Sequence, residues 1–182
     1  MDKNINIVLI GITGVGKTTV GRALADNLGK EFYDLDKNIE QHCGVDIPTI
    51  FEIEGEAGFR TRETDELRRI IDNKYGFVLS VGGGCITRME NRTILTNGPN
   101  VVIQLYADID ILVERLSKSI ARRPLFNNVD IGNKVAELYR SRKDYYDSIT
   151  DFKINTSMLK QPQVILEITA YLKKAHIQRS SK

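Results

Sequence analysis

Gly11-Ile12-Thr13-Gly14-Val15-Gly16-Lys17-Thr18 follows the apolar, β-branched run Asn4–Ile10 and precedes a stretch with Val20, Leu24 and Leu28 at helical spacing, stopped by Gly29. The octet fits G-x-x-x-x-G-K-[ST] at every position, in the setting that motif needs: a strand leads in and a helix leads out. Its glycines let the backbone curl until the N–H groups point at phosphate oxygens, and the helix opening near Lys17 adds the positive end of its dipole. Lys17 is placed to reach the β- and γ-phosphates of a nucleoside triphosphate, and the Thr18 hydroxyl to ligate Mg²⁺. The expected ATP-binding residues here are Gly14, Val15, Gly16, Lys17, Thr18 and Thr19.

The strand that feeds the loop is apolar without alternation, which predicts burial on both faces of a parallel sheet. Outward from it, Glu31–Leu35, Phe77–Val81, Val101–Tyr106 and Phe152–Ile154 read as further strands. Between them Glu63–Ile71, Ile109–Leu116, Val135–Tyr146 and Val164–Leu172 carry helical periodicity. Pro48 suits the first turn of a helix capped by Asp46, and Thr87-Arg88-Met89-Glu90 has the form of a capping box. Alternating strands and helices predict an α/β fold, a parallel sheet covered on both sides. One domain is expected over 1–176, with an acceptor-binding segment at about 36–63, a mobile lid at about 117–130 and a polar tail at 177–182.

Composition narrows the setting. A net charge of +2 on 182 residues is too small by itself to argue for nucleic acid or an acidic membrane, and neither is expected as a partner. No apolar run approaches a membrane span, and Met1-Asp2-Lys3 does not open a signal peptide, so a cytoplasmic protein is expected. Cys43 and Cys85 stand outside metal-type spacing and read as reduced, partly buried thiols. His42 and His176 show no triad or zinc pattern and are expected at the surface.

Ligands of open parallel sheets bind beyond the carboxyl ends of the strands. Asp34 and Asp36 close the second strand there; at i and i+2 of an extended segment they share a face. One can steady Mg²⁺ through water and the other can orient the proton of an acceptor hydroxyl, a helix cap being the plain alternative. Gly82-Gly83-Gly84 ends the third strand, and three glycines are costly unless the backbone must approach something closely; a tight turn is the other reading. Arg60, Arg123 and Arg142 offer planar forks for carboxylate or phosphate, and Arg123, before Pro124, suits a lid over the transferring group. No Asn-Lys-x-Asp string for guanine occurs, and the chain is too short for the added domains of a motor or transporter. A compact ATP-dependent small-molecule kinase fits best.

From about Ile5 to Leu172 the chain resembles shikimate kinase, in the strings GITGVGKTTVGRALA, FYDLDKNIE, IFEIEGEAGFRTRE, LSVGGG, RRPLF and YRSRKDYY, in that order. The resemblance implies a three-layer P-loop kinase fold with strand order 2-3-1-4-5, acting as a cytoplasmic monomer. It implies MgATP-dependent phosphorylation of the 3-hydroxyl of shikimate, on the way to chorismate and the aromatic amino acids. By the same likeness Asp36 would hold and polarise the acceptor hydroxyl and Asp34 would support Mg²⁺ through water. Arg60 and Arg142 would clamp the shikimate carboxylate, and the Gly82–Gly84 backbone would contact its hydroxyls. Lys17 and the lid residue Arg123 would act on the phosphates, with Arg115 near the adenine. The chain departs from the family at Phe126, more often leucine, and in the adenine-side loop Thr156–Pro162, where Lys160 stands in place of a frequent arginine. Two other functions compete. A gluconate-type kinase shares the loop, and Arg60, Arg142 and the glycine triplet count against it. A non-catalytic nucleotide-binding regulator would not need Lys17, Asp36 and Arg123 together.

Overall fold

In the computed structural model, residues 4–118 and 130–180 are described, with the backbone alone for 176–180. Strand β1 (Asn6–Ile10) is the middle of a five-stranded sheet ordered β2-β3-β1-β4-β5. It pairs in parallel with β3 (Phe77–Ser80) and β4 (Asn100–Tyr106), Ile7 standing opposite Val78 and Val101. The outer strands β2 (Glu31–Asp34) and β5 (Phe152–Asn155) are parallel too. All of β1 is buried, and its pleat sends alternate residues to opposite faces. Ile7 and Leu9 join one core with Val20, Leu24, Ile103, Val164, Ile168 and Leu172, while Val8 and Ile10 join another with Leu35, Ile39, Leu67, Ile70 and Leu79.

Helices α1 (Lys17–Leu28), α5 (Ile109–Ser117) and α7 (Gln161–Ser180) cover the first face. Helices α2 (Leu35–Cys43), α3 (Ile47–Asn73) and α4 (Met89–Thr96) cover the second. Helix α6 (Ile131–Ile149) serves both: Val135 and Leu138 pack in the first core, Tyr146 and Ile149 in the second. It therefore crosses between layers, and Arg142 lies on the crossing stretch. Helix α7 continues to Ser180, through most of the stretch read as a polar tail.

Two local readings change. The second strand stops at Asp34, whose side chain caps α2 by accepting from Lys37 N at 3.4 Å. Asp36 therefore sits in the first helical turn and not on an extended segment, so the shared-face argument for the two aspartates does not hold. Thr87 makes no capping box: its hydroxyl donates to Gly84 O at 2.7 Å, inside a 3₁₀ turn over Cys85–Thr87, and Arg88 takes the N-cap position of α4 without a side-chain bond. The two helical pieces read around Pro48 and Glu63–Ile71 are present as such: the segment α3 is two helices that meet at a kink at Gly55 (φ 69°, ψ −176°), with Asp46 capping the first by accepting from Thr49 N at 3.0 Å. His42 is exposed, Cys43 half-buried and Cys85 buried.

Candidate active site

A cleft of about 620 Å³ opens at the carboxyl ends of the strands, lined by Thr13–Val20, Asp34, Asp36, Ser80–Gly83, Arg115, Thr156, Leu159, Gln161 and Val164. Its floor is the loop after β1. Gly11 has φ 141°, and a Cβ there would stand 2.2 Å from Leu105 O, so no other residue fits. Gly16, at φ 95°, occupies the N-cap of α1 with no side-chain cap, which leaves the first-turn N–H groups for an anion. Lys17 Nζ donates to Gly11 O at 2.7 Å and to Ile12 O at 3.2 Å, bending back over the loop it serves.

Beside the loop, Thr18 Oγ1 donates to Asp34 Oδ2 at 2.7 Å. The pair places two hard oxygens together, and among the described residues no cluster of three His, Cys, Asp or Glu could cage a metal alone. That donor set fits Mg²⁺, which keeps waters and leans on substrate phosphates. Asp36 is closely surrounded by protein although part of its surface opens to the cleft. Burial first, and then the negative charge of Asp34, push its carboxyl up to about 6 against the opposing pull of Lys17 and Arg60.

The glycine triplet earns its residues through close approach, since none of the three has positive φ. A Cβ on Gly82 would lie 2.9 Å from Asp36 Oδ1 and 3.0 Å from Glu63 Oε1. One on Gly83 would press on the loop, 3.3 Å from Thr13 N. One on Gly84 would stand 2.4 Å from Arg60 Nη2 and 2.8 Å from Cζ and Nη1, so the guanidinium rests against this backbone. Arg60 also donates to Glu63 Oε2 at 2.8 Å and to Glu56 Oε1 at 3.2 Å. From α6, Arg142 Nη1 donates to Gly83 O at 3.1 Å, and Tyr146 Oη donates to the same carbonyl at 2.7 Å. Arg60 and Arg142 thus reach the triplet from different helices, just beyond the lining of the main cleft.

At the other end, Arg115 donates to Thr156 O at 2.7 Å and to Thr156 Oγ1 at 3.2 Å, which ties it to the loop expected on the adenine side. Thr156 Oγ1 donates in turn to Val15 O at 3.2 Å, and Gln161 Nε2 donates to Thr19 O at 2.9 Å. Lys160 is exposed and does not line the cleft. Arg123 and nearly all of the expected lid lie outside the described residues. The structure therefore brings the phosphate loop, Asp34, Asp36, Gly82, Gly83 and Arg115 to one cleft and sets Arg60, Gly84 and Arg142 at its edge. It adds Glu63, Tyr146, Thr156 and Gln161, which sequence reasoning missed. Glu63 alone carried a signal, standing three residues after Arg60 on a helix.

A loop built to hold a triphosphate faces an enclosed carboxylate, with two arginines one step further on where a small anion can sit. This is the organisation of a P-loop kinase acting on a small molecule. A shikimate kinase family profile matches residues 13–173. A curated shikimate kinase from Marinomonas sp. is 45% identical over 157 residues, covering 86% of this chain and 85% of that one. A solved shikimate kinase from Acinetobacter baumannii, in complex with shikimate, superposes with TM-score 0.89 at 36% identity, covering 96% of each chain. The chain belongs to the shikimate kinase family. A gluconokinase from Sinorhizobium meliloti, with TM-score 0.57 at 17% identity, shares the fold alone.

Proposed function

We propose that the protein transfers the γ-phosphoryl group of MgATP to the 3-hydroxyl of shikimate, giving shikimate 3-phosphate and ADP. The observation that carries this is the convergence of Arg60 and Arg142 on Gly83–Gly84, next to Asp36, in a family whose A. baumannii member was solved with shikimate. Two arginine forks suit a carboxylate-bearing acceptor and have no partner on a neutral sugar.

In this reading Arg60 and Arg142 hold the acceptor carboxylate, while Gly82–Gly84 let the ring approach the backbone. Asp36 accepts the hydroxyl proton as the oxygen–phosphorus bond forms and the bond from phosphorus to ADP breaks. Such transition states are loose, so the protein's work is positioning and charge stabilisation. Lys17 and the loop N–H groups hold the phosphates. Arg123 would close over them from the lid. Thr18 and, through water, Asp34 would hold Mg²⁺, which would offset the negative charge of the phosphates. Arg115 and the Thr156 loop would flank the adenine. In this reading the protein works as a monomer in the cytoplasm; no helix among the described residues is long and apolar enough to cross a membrane.

The test is ADP release by purified protein with MgATP and shikimate. Shikimate-dependent turnover with none on gluconate is expected; the reverse pattern would overturn the assignment. Arg60→Ala should raise the shikimate KM tenfold or more, on the order of a lost charge-assisted contact, and leave the ATP KM near its original value. Equal rises in both would make Arg60 a structural residue.

A further inference from the structure

Glu63 has no exposed surface, yet only one of its oxygens is used. Its Oε2 accepts from Arg60 Nη1 at 2.8 Å, while Oε1 has no hydrogen-bond partner among the described residues. That oxygen is aimed at the acceptor side of the site, since it and Asp36 Oδ1 both crowd the same Gly82 Cα, 3.0 and 2.9 Å from where a Cβ would stand. The groups facing Glu63 are Arg60 on its own helix, Asp36 from α2, Arg88 ahead of α4 and the Cys85 thiol from the 3₁₀ turn. Burial dominates and the charge of Asp36 adds to it, so the Glu63 carboxyl is pushed up to about 7 in spite of Arg60 and Arg88.

Arg60 is already shared between Glu63 and Glu56. An acceptor carboxylate arriving at its fork brings a further negative charge into an enclosed space. Glu56 is largely exposed and water screens it, whereas Glu63 has no such relief. A proton on Glu63 removes the excess charge and turns its partnerless acceptor into a donor, beside a carboxylate able to receive it.

We propose that Glu63 is a proton-carrying positioning residue: as a carboxylate it steadies Arg60 in the open site, and it takes up a proton when the acceptor carboxylate joins Arg60. Acceptor binding is thereby coupled to proton uptake, so affinity for the acceptor falls as pH rises. This rests on the shikimate reading above.

Titration calorimetry of shikimate binding at pH 7.5, in two buffers of different ionisation enthalpy, measures the coupling directly. The wild type should take up a fraction of a proton per shikimate, and Glu63→Gln, which keeps the shape without the ionisation, should take up none. In steady state the wild-type shikimate KM should rise at least about fivefold from pH 6.5 to 8.5, with about tenfold per pH unit as the limiting slope. The ATP KM should stay flat, and in Glu63→Gln both should. Wild-type binding without proton uptake overturns the coupling whether or not the variant folds, and so does unchanged uptake in a folded Glu63→Gln. Absence of shikimate binding to a wild type that still binds MgATP overturns the acceptor assignment itself, and the coupling falls with it.

Discussion

Arg60 owes its direction to what it rests on. Its guanidinium lies against Gly84, where a methyl group would stand 2.4 Å from Nη2. Gly84→Ala must therefore displace the fork, at little cost in stability because the atoms that move are the far end of a flexible side chain. The shikimate KM should rise at least about tenfold while the ATP KM stays near wild type, checked by steady-state kinetics; an unchanged shikimate KM would remove Arg60 from acceptor binding. Asp36 tests the chemistry itself. Asp36→Asn keeps the volume and removes the base, so kcat should fall about 10²- to 10⁴-fold with the circular dichroism spectrum intact. Retained turnover would take Asp36 out of the mechanism. The triplet and the two arginines were legible because glycine and arginine are expensive or specialised wherever they cluster. Glu63 was legible only as a helical neighbour three residues after Arg60; its burial was not, since a glutamate among charged helical residues looks like any solvated one. Only the packing of α3 onto Gly82 shows that it is buried.

The kinked segment α3 was legible in its two helical parts but not in the angle between them. Ile50 and Phe59 pack in the same core as Leu67 and Ile70, and the kink at Gly55 divides the segment into the two helices that the sequence shows as separate pieces. Across the bend the Phe51 ring packs tilted against Phe59, at 32° with centroids 4.7 Å apart, and Arg62 Nε donates to Glu54 at 2.7 Å. The ion pair is partly exposed and adds little, which leaves the aromatic contact and the glycine backbone to set the angle. Gly55→Ala would force a side chain into a conformation nearly reserved for glycine, and urea unfolding should show a loss of about 1–3 kcal/mol. An unaffected midpoint would mean that the helix straightens freely and that the bend has no structural role. Helix α2 escaped notice for a simpler reason: in nine residues only Leu35 and Ile39 are buried, too few to display a period. The crossing path of α6 is a tertiary fact, decided by two cores that the periodicity of Val135–Tyr146 does not separate.

For the whole molecule, strand order and the place of the cleft follow from one buried strand and one loop, and the electrostatic consequence follows from what that cleft encloses. Asp46, Glu54, Glu66, Glu114 and Asp147 have carboxyls held below their usual range by hydrogen bonds and cations, so they are ionised in the native state well before neutrality. Asp36 and Glu63 behave oppositely, raised to about 6 and about 7. A carboxyl whose native pKa lies above its unfolded value binds protons more tightly when folded. Its contribution is fully present below the unfolded pKa and is lost as pH rises through the native one. Between pH about 5 and 7.5 the native state therefore releases protons that the unfolded chain has already lost, and stability should fall with rising pH. The limiting slope is about 1.4 kcal/mol per pH unit for each group. Calorimetric melting across that range should show a declining Tm in the wild type and a shallower decline in Glu63→Gln, which has one such group fewer. A Tm that climbs from pH 5 to 7.5, or an identical slope in both proteins, would show that Glu63 is ionised throughout and that Arg60 fully compensates its burial.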